Sequence, residues 1–361
     1  MGKDRTDIYY WKCDRSAAFH GTDGASTVTA ADVQSALETR FPGAVADVAP
    51  TGGQGNHRTF SARIGGREAF IRAEDGAEQD DYFAVENAAT EAVSARGVPV
   101  ARCIAYDCSR RKFPFAWQAL EHLPYPDLNA HFKAGTLDWT DIAPAIGRAV
   151  AQWQDVRPAG FGLFSATHAL NTGELKGLHE SYEAYYRLNL DRHLRYLVSE
   201  EFLDEGFVAR IRAAVDAHVN LLKMERGVFV HKDLALWNIL GTPTAAKAFI
   251  DWDDCISGDP MDDLSLMGCF HGADVLGPML NGYREVRALP SDAAPRFWLC
   301  LLRNMIFKAV IRVGAGYFRK SDGFFLIGAG QGGGDLSAVT RAKLELALAG
   351  LEKGLDLDAI A

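Results

Sequence analysis

The sequence predicts an α+β chain in which strands concentrate between Val48 and Leu120 and helices dominate beyond Asp138. Three observations carry this. Residues 48–120 hold short alternating apolar runs broken by glycine-rich or charged turns. Several later stretches repeat apolar residues at helical spacing. Between the later helices, Val228 to Asp263 reads VFVHKDLALWNILGTPTAAKAFIDWDDCISGDPMDD, with two apolar strands each delivering an aspartate.

A chain of 361 residues with a formal charge of −9 is long enough for about two cores. No basic stretch is interleaved with aromatics, which argues against nucleic acid as the partner. Cysteines 13, 103, 108, 255, 269 and 300 form no C-x-x-C pair, so neither a zinc site nor a disulfide framework is expected. Lys3, Asp4, Arg5 and Asp7 stand where a signal peptide needs an apolar core, and no run reaches the ~18 residues of a membrane span. The expectation is a cytoplasmic protein without a membrane partner, as monomer or homodimer.

Residues 1–28 read as an extension whose Tyr9, Tyr10 and Trp11 pack on the body. Thr29 caps a helix bearing Val33 and Leu37, ending before Pro42. Gly52-Gly53-Gln54-Gly55-Asn56-His57 turns between Val48 and the strand Phe60–Ile64, and a second strand, Ala69–Arg72, follows. Val85, Ala89 and Val93 mark a helix that carries Glu86. Strands at Val100–Tyr106 and Phe113–Leu120 flank the turn Ser109–Lys112. After Glu121 and His122, Ile142, Ile146, Val150 and Trp153 share one helix face. Tyr182–Leu197 and Phe207–Leu222 read as two further helices, and Leu276–Val286, Ala294–Val313 and Ser337–Lys353 as three more. Phe324–Gly334 satisfies G-x-G-x-x-G after an apolar run, but too little chain follows for a dinucleotide-binding crossover, so it reads as a loop.

The central segment brings His231, Lys232 and Asp233 to the end of Val228–Val230, Asn238 five residues after Asp233, and Asp251 to the end of Ala248–Ile250. Two carboxylates and an amide at these spacings suit phosphoryl transfer from a nucleotide, where protein groups position the reactants and neutralise charge. A carboxylate orients the attacking hydroxyl, and hard oxygens hold magnesium. Turn-capping by Asp and Asn is the bland alternative, and it would not enforce the joint spacing.

His231-Lys232-Asp233, Asn238, Ile250-Asp251-Trp252-Asp253 and Gly258-Asp259-Pro260-Met261-Asp262-Asp263-Leu264 together resemble the aminoglycoside phosphotransferase and choline kinase type of small-molecule kinase. The resemblance implies a protein-kinase-like fold of two lobes: a small antiparallel-sheet lobe over 29–121 and a larger, mostly helical lobe over 122–361 that carries the acceptor site. It implies ATP, with GTP as the alternative donor, and Mg2+. Asp233 is then the catalytic base, Asn238 and Asp251 the metal ligands, and His231 and Asp263 supports of the loop. The turn with Gly53, Gly55 and Asn56 covers the phosphates. Arg72, standing where protein kinases carry lysine, grips them, and Glu86, preferred over Glu78 or Glu91, pairs with Arg72. Gln118, Glu121 and His122 fall in the stretch that meets the adenine edge. Lys232 replaces the usual glycine, which either reshapes the loop or places a cation near the phosphates. Trp153-Gln154 stands where Leu-His is common, and Phe161-Gly162-Leu163 resembles a family turn.

The implied reaction moves the γ-phosphoryl group to a hydroxyl of a small molecule. Six carboxylates between Asp251 and Asp263 suit an aminoglycoside, amino sugar or related natural product. A choline-like acceptor would call for an aromatic cage, for which Trp237, Trp252 and Tyr317 are available. A nucleoside or sugar acceptor, a catalytically weak nucleotide-binding scaffold and a protein kinase are the alternatives, the last lacking an Ala-Pro-Glu segment after Asp251.

Overall fold

The computed structural model describes residues 4–5, 27–52, 57–75, 80–321, 324, 326 and 332–359. Thr29 opens helix α1 (Ala30–Arg40) with reciprocal bonds: its hydroxyl accepts from Asp32 N (3.2 Å) and its amide donates to Asp32 Oδ2 (2.9 Å). Val33, Ala36 and Leu37 are buried with residues of the first sheet in a small core of their own. That sheet comprises β1 (Val45–Pro50), β2 (Arg58–Ile64), β3 (Arg67–Glu74), β4 (Cys103–Asp107) and β5 (Ala116–Glu121), ordered β1-β2-β3-β5-β4 and antiparallel throughout. Strand β3 is central, so Arg72 lies between Thr59 on one side and Gln118 on the other. Helix α2 (Tyr82–Ser94) buries residues on most of its surface and joins the larger core.

The rest is mainly helical: α3 (Leu128–Lys133), α4 (Trp139–Trp153), α5 (Ala166–Thr172), α6 (Tyr182–Tyr186), α7 (Leu190–Ser199), α8 (Glu205–Ala217), α9 (Asp262–Gly268), α10 (Ala273–Val286), α11 (Ala293–Gly314) and α12 (Gly333–Lys353). The fold is thus an antiparallel-sheet region followed by a helical one. Small sheets are set into the second region: β6 (Phe161–Phe164), β7 (Gly177–His179), β8 (Val228–Val230) and β11 (Ile256–Gly258) form one ordered β7-β6-β11-β8, and β9 (Ile239–Thr242) pairs with β10 (Ala245–Phe249). The two regions meet where Phe249 N donates to Pro99 O (2.9 Å). Among the described residues no helix is long and apolar enough to cross a membrane.

Several expectations change. Phe161-Gly162-Leu163 is strand rather than turn; glycine suits position 162 because φ is +73° there and a β-carbon would collide with Tyr185 and His179. The single helix expected over Tyr182–Leu197 is two, parted at Asn189 (φ +53°). Arg303 from α11 donates to the carbonyls of Tyr186 (2.8 Å) and Leu188 (2.7 Å) that the break frees. Helical spacing across the break resembles one continuous face, and only a buried partner elsewhere in the chain specifies the kink. The helix expected over Phe207–Leu222 runs Glu205–Ala217 and then tightens to a 3-10 turn. Gly333 and Gly334, read as loop, start α12. Strand β10 begins at Ala245 and ends before Ile250, and the strand expected from Val100 begins at Cys103. Tyr9, Tyr10 and Trp11 lie outside the described residues.

Candidate active site

Strand β8, buried on all three residues, ends at His231, and the chain then turns through Lys232 at φ +71°. That left-handed conformation explains why glycine suits this place: a β-carbon there costs roughly 1–2 kcal/mol. Asp263 holds the turn, accepting from His231 N (2.9 Å), Lys232 N (3.0 Å) and Trp153 Nε1 (3.0 Å). Burial pushes the Asp263 carboxyl up to about 7, while these three donors pull it down. His231 donates from Nε2 to Ile250 O (3.0 Å) and accepts Asp233 N at Nδ1 (3.3 Å), a neutral ring whose pKa burial lowers to about 4. At the departure from Leu-His, Trp153 reaches Asp263, while Gln154 donates to Pro260 O (2.8 Å) and accepts from Tyr283 Oη (2.6 Å).

Lys232 does not face the phosphate side. Its ammonium is buried against Asp262 (3.0 Å to each oxygen) and Asn304 Oδ1 (2.7 Å). The strained loop is thereby tied to α9 and α11.

Asn238 closes a 3-10 turn and donates from Nδ2 to Asp233 O (2.8 Å) and Asp233 Oδ2 (3.0 Å), which leaves its side-chain oxygen as an acceptor. Ile250 N donates to Asn238 O (3.0 Å), so Asp251 emerges beside that amide. Asp251 also lies in the left-handed region, φ +65°, with its carboxylate two-fifths exposed. Arg72 Nη1 meets both Glu86 oxygens at 2.7 Å and its Nη2 meets Asp251 Oδ1 at 2.9 Å. One guanidinium thus joins β3, α2 and the end of β10. Glu86 also accepts Trp252 N (3.3 Å). Burial, then the Asp253 charge, push the Asp251 carboxyl up to about 7 against the pull of Arg72. Burial likewise raises Asp233, opposed by Lys308 and Asn238. Asp233 and Asn238 are thus bonded to each other, Asp251 follows the residue that Asn238's backbone carbonyl holds, and all three side chains offer hard oxygen donors.

Of the other expected site residues, Gly53, Gly55 and Asn56 lie outside the described residues. Gln118 is buried next to Arg72 in the sheet. Glu121 donates its amide to Arg102 O (2.8 Å), so that N–H is not open to a base. His122 pairs at the surface with Glu68 (3.1 Å).

Each of the six carboxylates between Asp251 and Asp263, some of which were expected to face an acceptor, has a partner within the protein. Asp251 meets Arg72, Asp253 meets His57 and Arg5, and Asp254 meets Arg5. Asp259 meets Arg296 at 2.6 Å, Asp262 meets Lys232, and Asp263 meets the loop amides. Trp252 is enclosed between His231 and Trp153, at 4.4 and 5.4 Å between ring centres, and cannot line a cage.

Two contributors were not read as site residues. Arg5 bridges Asp80, Asp253 and Asp254 and lies 4.0 Å over the Tyr82 ring. Nothing in its sequence neighbourhood marks it. Lys308 of α11 places Nζ 3.8 Å from Asp233 Oδ1. Its signal was legible: Asn304, Lys308 and Arg312 recur every four residues along a mostly apolar helix.

The sequence profile described as the phosphotransferase enzyme family (APH) matches residues 47–298. The chain belongs to this family. Solved structures agree in fold. A thermostable mutant of aminoglycoside phosphotransferase APH(4)-Ia, in ternary complex with AMP-PNP and hygromycin B, shares 19% identity at TM-score 0.60, over 90% of this chain and 100% of that one. A putative fructosamine-3-kinase from Thermobifida fusca YX-ER1 gives 20% and 0.61 (87% and 99% covered). Macrolide 2'-phosphotransferase MphH from Brachybacterium faecium gives 18% and 0.56 (90% and 99%). No curated protein matches the chain. At these identities the likeness is one of fold, and this APH family member's own residues must carry the chemistry.

Proposed function

We propose that the protein transfers the γ-phosphoryl group of ATP to a hydroxyl group of a small molecule. What supports this reading is the hydrogen bond of Asn238 to Asp233, the backbone bond from Ile250 to Asn238 that brings Asp251 after it, and the contact of Asp251 with Arg72, itself paired with Glu86.

Asp233 would accept the acceptor's hydroxyl proton as the oxygen bonds to the γ-phosphorus. The bond from that phosphorus to the bridging oxygen breaks, and ADP leaves with the electron pair. Asn238 Oδ1 and the Asp251 carboxylate would hold magnesium, which when bound screens the charge on the phosphate oxygens. Arg72 stands where it can release part of its hold on Asp251 and bind phosphate oxygens in a two-pronged fashion, while Glu86 keeps its plane fixed.

An aminoglycoside or amino-sugar acceptor would need acidic side chains free to meet its ammonium groups, and the six carboxylates between Asp251 and Asp263 all have internal partners. Asp233→Ala should lower kcat by at least about a thousandfold while Mg·ATP still binds, as calorimetry would show. Near-normal turnover in that variant would refute the assignment.

A further inference from the structure

Beyond Asp233 the cleft wall carries Lys308 and Arg312, and among the described residues Asp233 is the one carboxylate within ion-pair distance of either. A small recess of about 50 Å³ opens beside Asp233, and Leu266, Phe307, Ile311, Asp254 and Lys308 line it. The charges around it can be paired off. Lys232 is matched by Asp262, and Asp254 by Arg5. Lys308 forms a long ion pair with Asp233, its Nζ 3.8 Å from Oδ1 and beyond hydrogen-bond range, and lies 4.6 Å above the Phe270 ring, so its ammonium keeps hydrogen-bonding capacity for a second anion.

One turn further along α11, Arg312 is 3% exposed, with the Thr340 hydroxyl (2.7 Å) as its hydrogen-bond partner. Among the described residues no carboxylate lies within ion-pair distance of it. Lys343 reaches the His271 carbonyl (3.0 Å) on the far side of Phe270. A buried cation without a counter-ion is costly, and a bound anion relieves that cost.

Lys308 comes from α11 and stands at Oδ1 of Asp233, whose Oδ2 accepts from Asn238. An acceptor hydroxyl seated on Asp233 therefore has its neighbouring substituents beside the Lys308 ammonium. Resting on the phosphotransfer reading above, we propose that the acceptor is a hydroxylated anion, carrying a carboxylate or phosphate within a few bonds of the reacting hydroxyl, and that Lys308 selects it. An ammonium group on the acceptor would be repelled from the same place.

The test uses the full chain and matched probes: glycerate, glycerol phosphate, glycerol and 3-aminopropane-1,2-diol, with glucuronate, glucose 6-phosphate, glucose and glucosamine as a larger set. ADP release and calorimetric binding to the Mg·ADP-loaded protein are read for each. An anionic member of a set should exceed its neutral and ammonium counterparts by about tenfold or more in kcat/KM or in affinity, and the carboxylate and phosphate arms identify which anion. Lys308→Gln should raise KM or Kd for that anion about 10- to 100-fold and leave Mg·ATP affinity within about twofold, which also shows that the variant is folded. Lys308→Arg should restore most of the selectivity.

Preference for a neutral or ammonium probe overturns the inference alone. So does a Lys308→Gln variant that loses kcat equally on every acceptor, since Lys308 would then serve Asp233 or the transferring phosphate. Failure of the wild-type chain to bind Mg·ATP overturns the phosphotransfer reading and this inference together.

Discussion

Lys232 combines a backbone that favours glycine with an ammonium that Asp262 and Asn304 enclose. Deleting one member of a buried pair leaves the other charge stranded, at about 3–5 kcal/mol. Lys232→Gly should thus destabilise despite relieving the backbone, and Asp262→Asn in the same chain should recover at least about 2 kcal/mol in urea denaturation. Additive losses would show that the two side chains are not coupled. The sequence announced the departure at 232, but not its meaning. A lysine among catalytic residues reads as a phosphate ligand until the partner thirty residues on, inside an acidic run, is seen to have turned toward it.

Helices α4 and α10 approach through glycine at both crossing points. A β-carbon on Gly147 would stand 1.9 Å from Met279 O, and one on Gly282 2.1 Å from Pro144 O. Backbone cannot yield as a side-chain tip can, so Gly147→Ala and Gly282→Ala should each cost about 2–4 kcal/mol, read as a lowered unfolding midpoint. Because α4 ends in Trp153, which bonds Asp263, Gly147→Ala should also lower kcat more than it raises KM for ATP. Unchanged stability would mean that the helices part freely. Elements of this kind were readable in kind but not in partner. The strands and most of the helices announced themselves by apolar spacing, and the catalytic strands by the aspartates at their ends. The break at Asn189 and the strand at Phe161 depend on Arg303 and on β11, and no local pattern encodes either.

Across the whole molecule, buried histidines supply one part of the response to acid. His193 is fully enclosed, accepts from Arg303 at 3.3 Å and packs against Phe307, and burial with the Arg303 charge lowers its pKa to about 2. His271, among Phe132, Trp139 and Phe270, is lowered to about 4. Both rings stay neutral in the folded chain below pH 6.5, while the unfolded chain takes up protons there. The contribution of each ring is therefore intact above about pH 6.5 and is lost as pH drops toward 4, by ~1.4 kcal/mol per unit, while the raised Asp251 and Asp263 carboxyls act with the opposite sign over the same range. His193→Gln should lose about 2 kcal/mol less than wild type between pH 7 and pH 5 in denaturant titrations. An unchanged difference would show that His193 titrates normally.

The two halves of the molecule are also joined at the cleft by Arg72, which shares Asp251 with whatever cation that carboxylate takes up, and the next residue is a tryptophan whose amide is bonded to Glu86. On the proposed phosphotransfer reading, loading Mg·ATP would redistribute that contact next to a buried indole, one coupled edge-on to a second. Excited near 295 nm, the protein should therefore report nucleotide occupancy through its own emission, without an added dye.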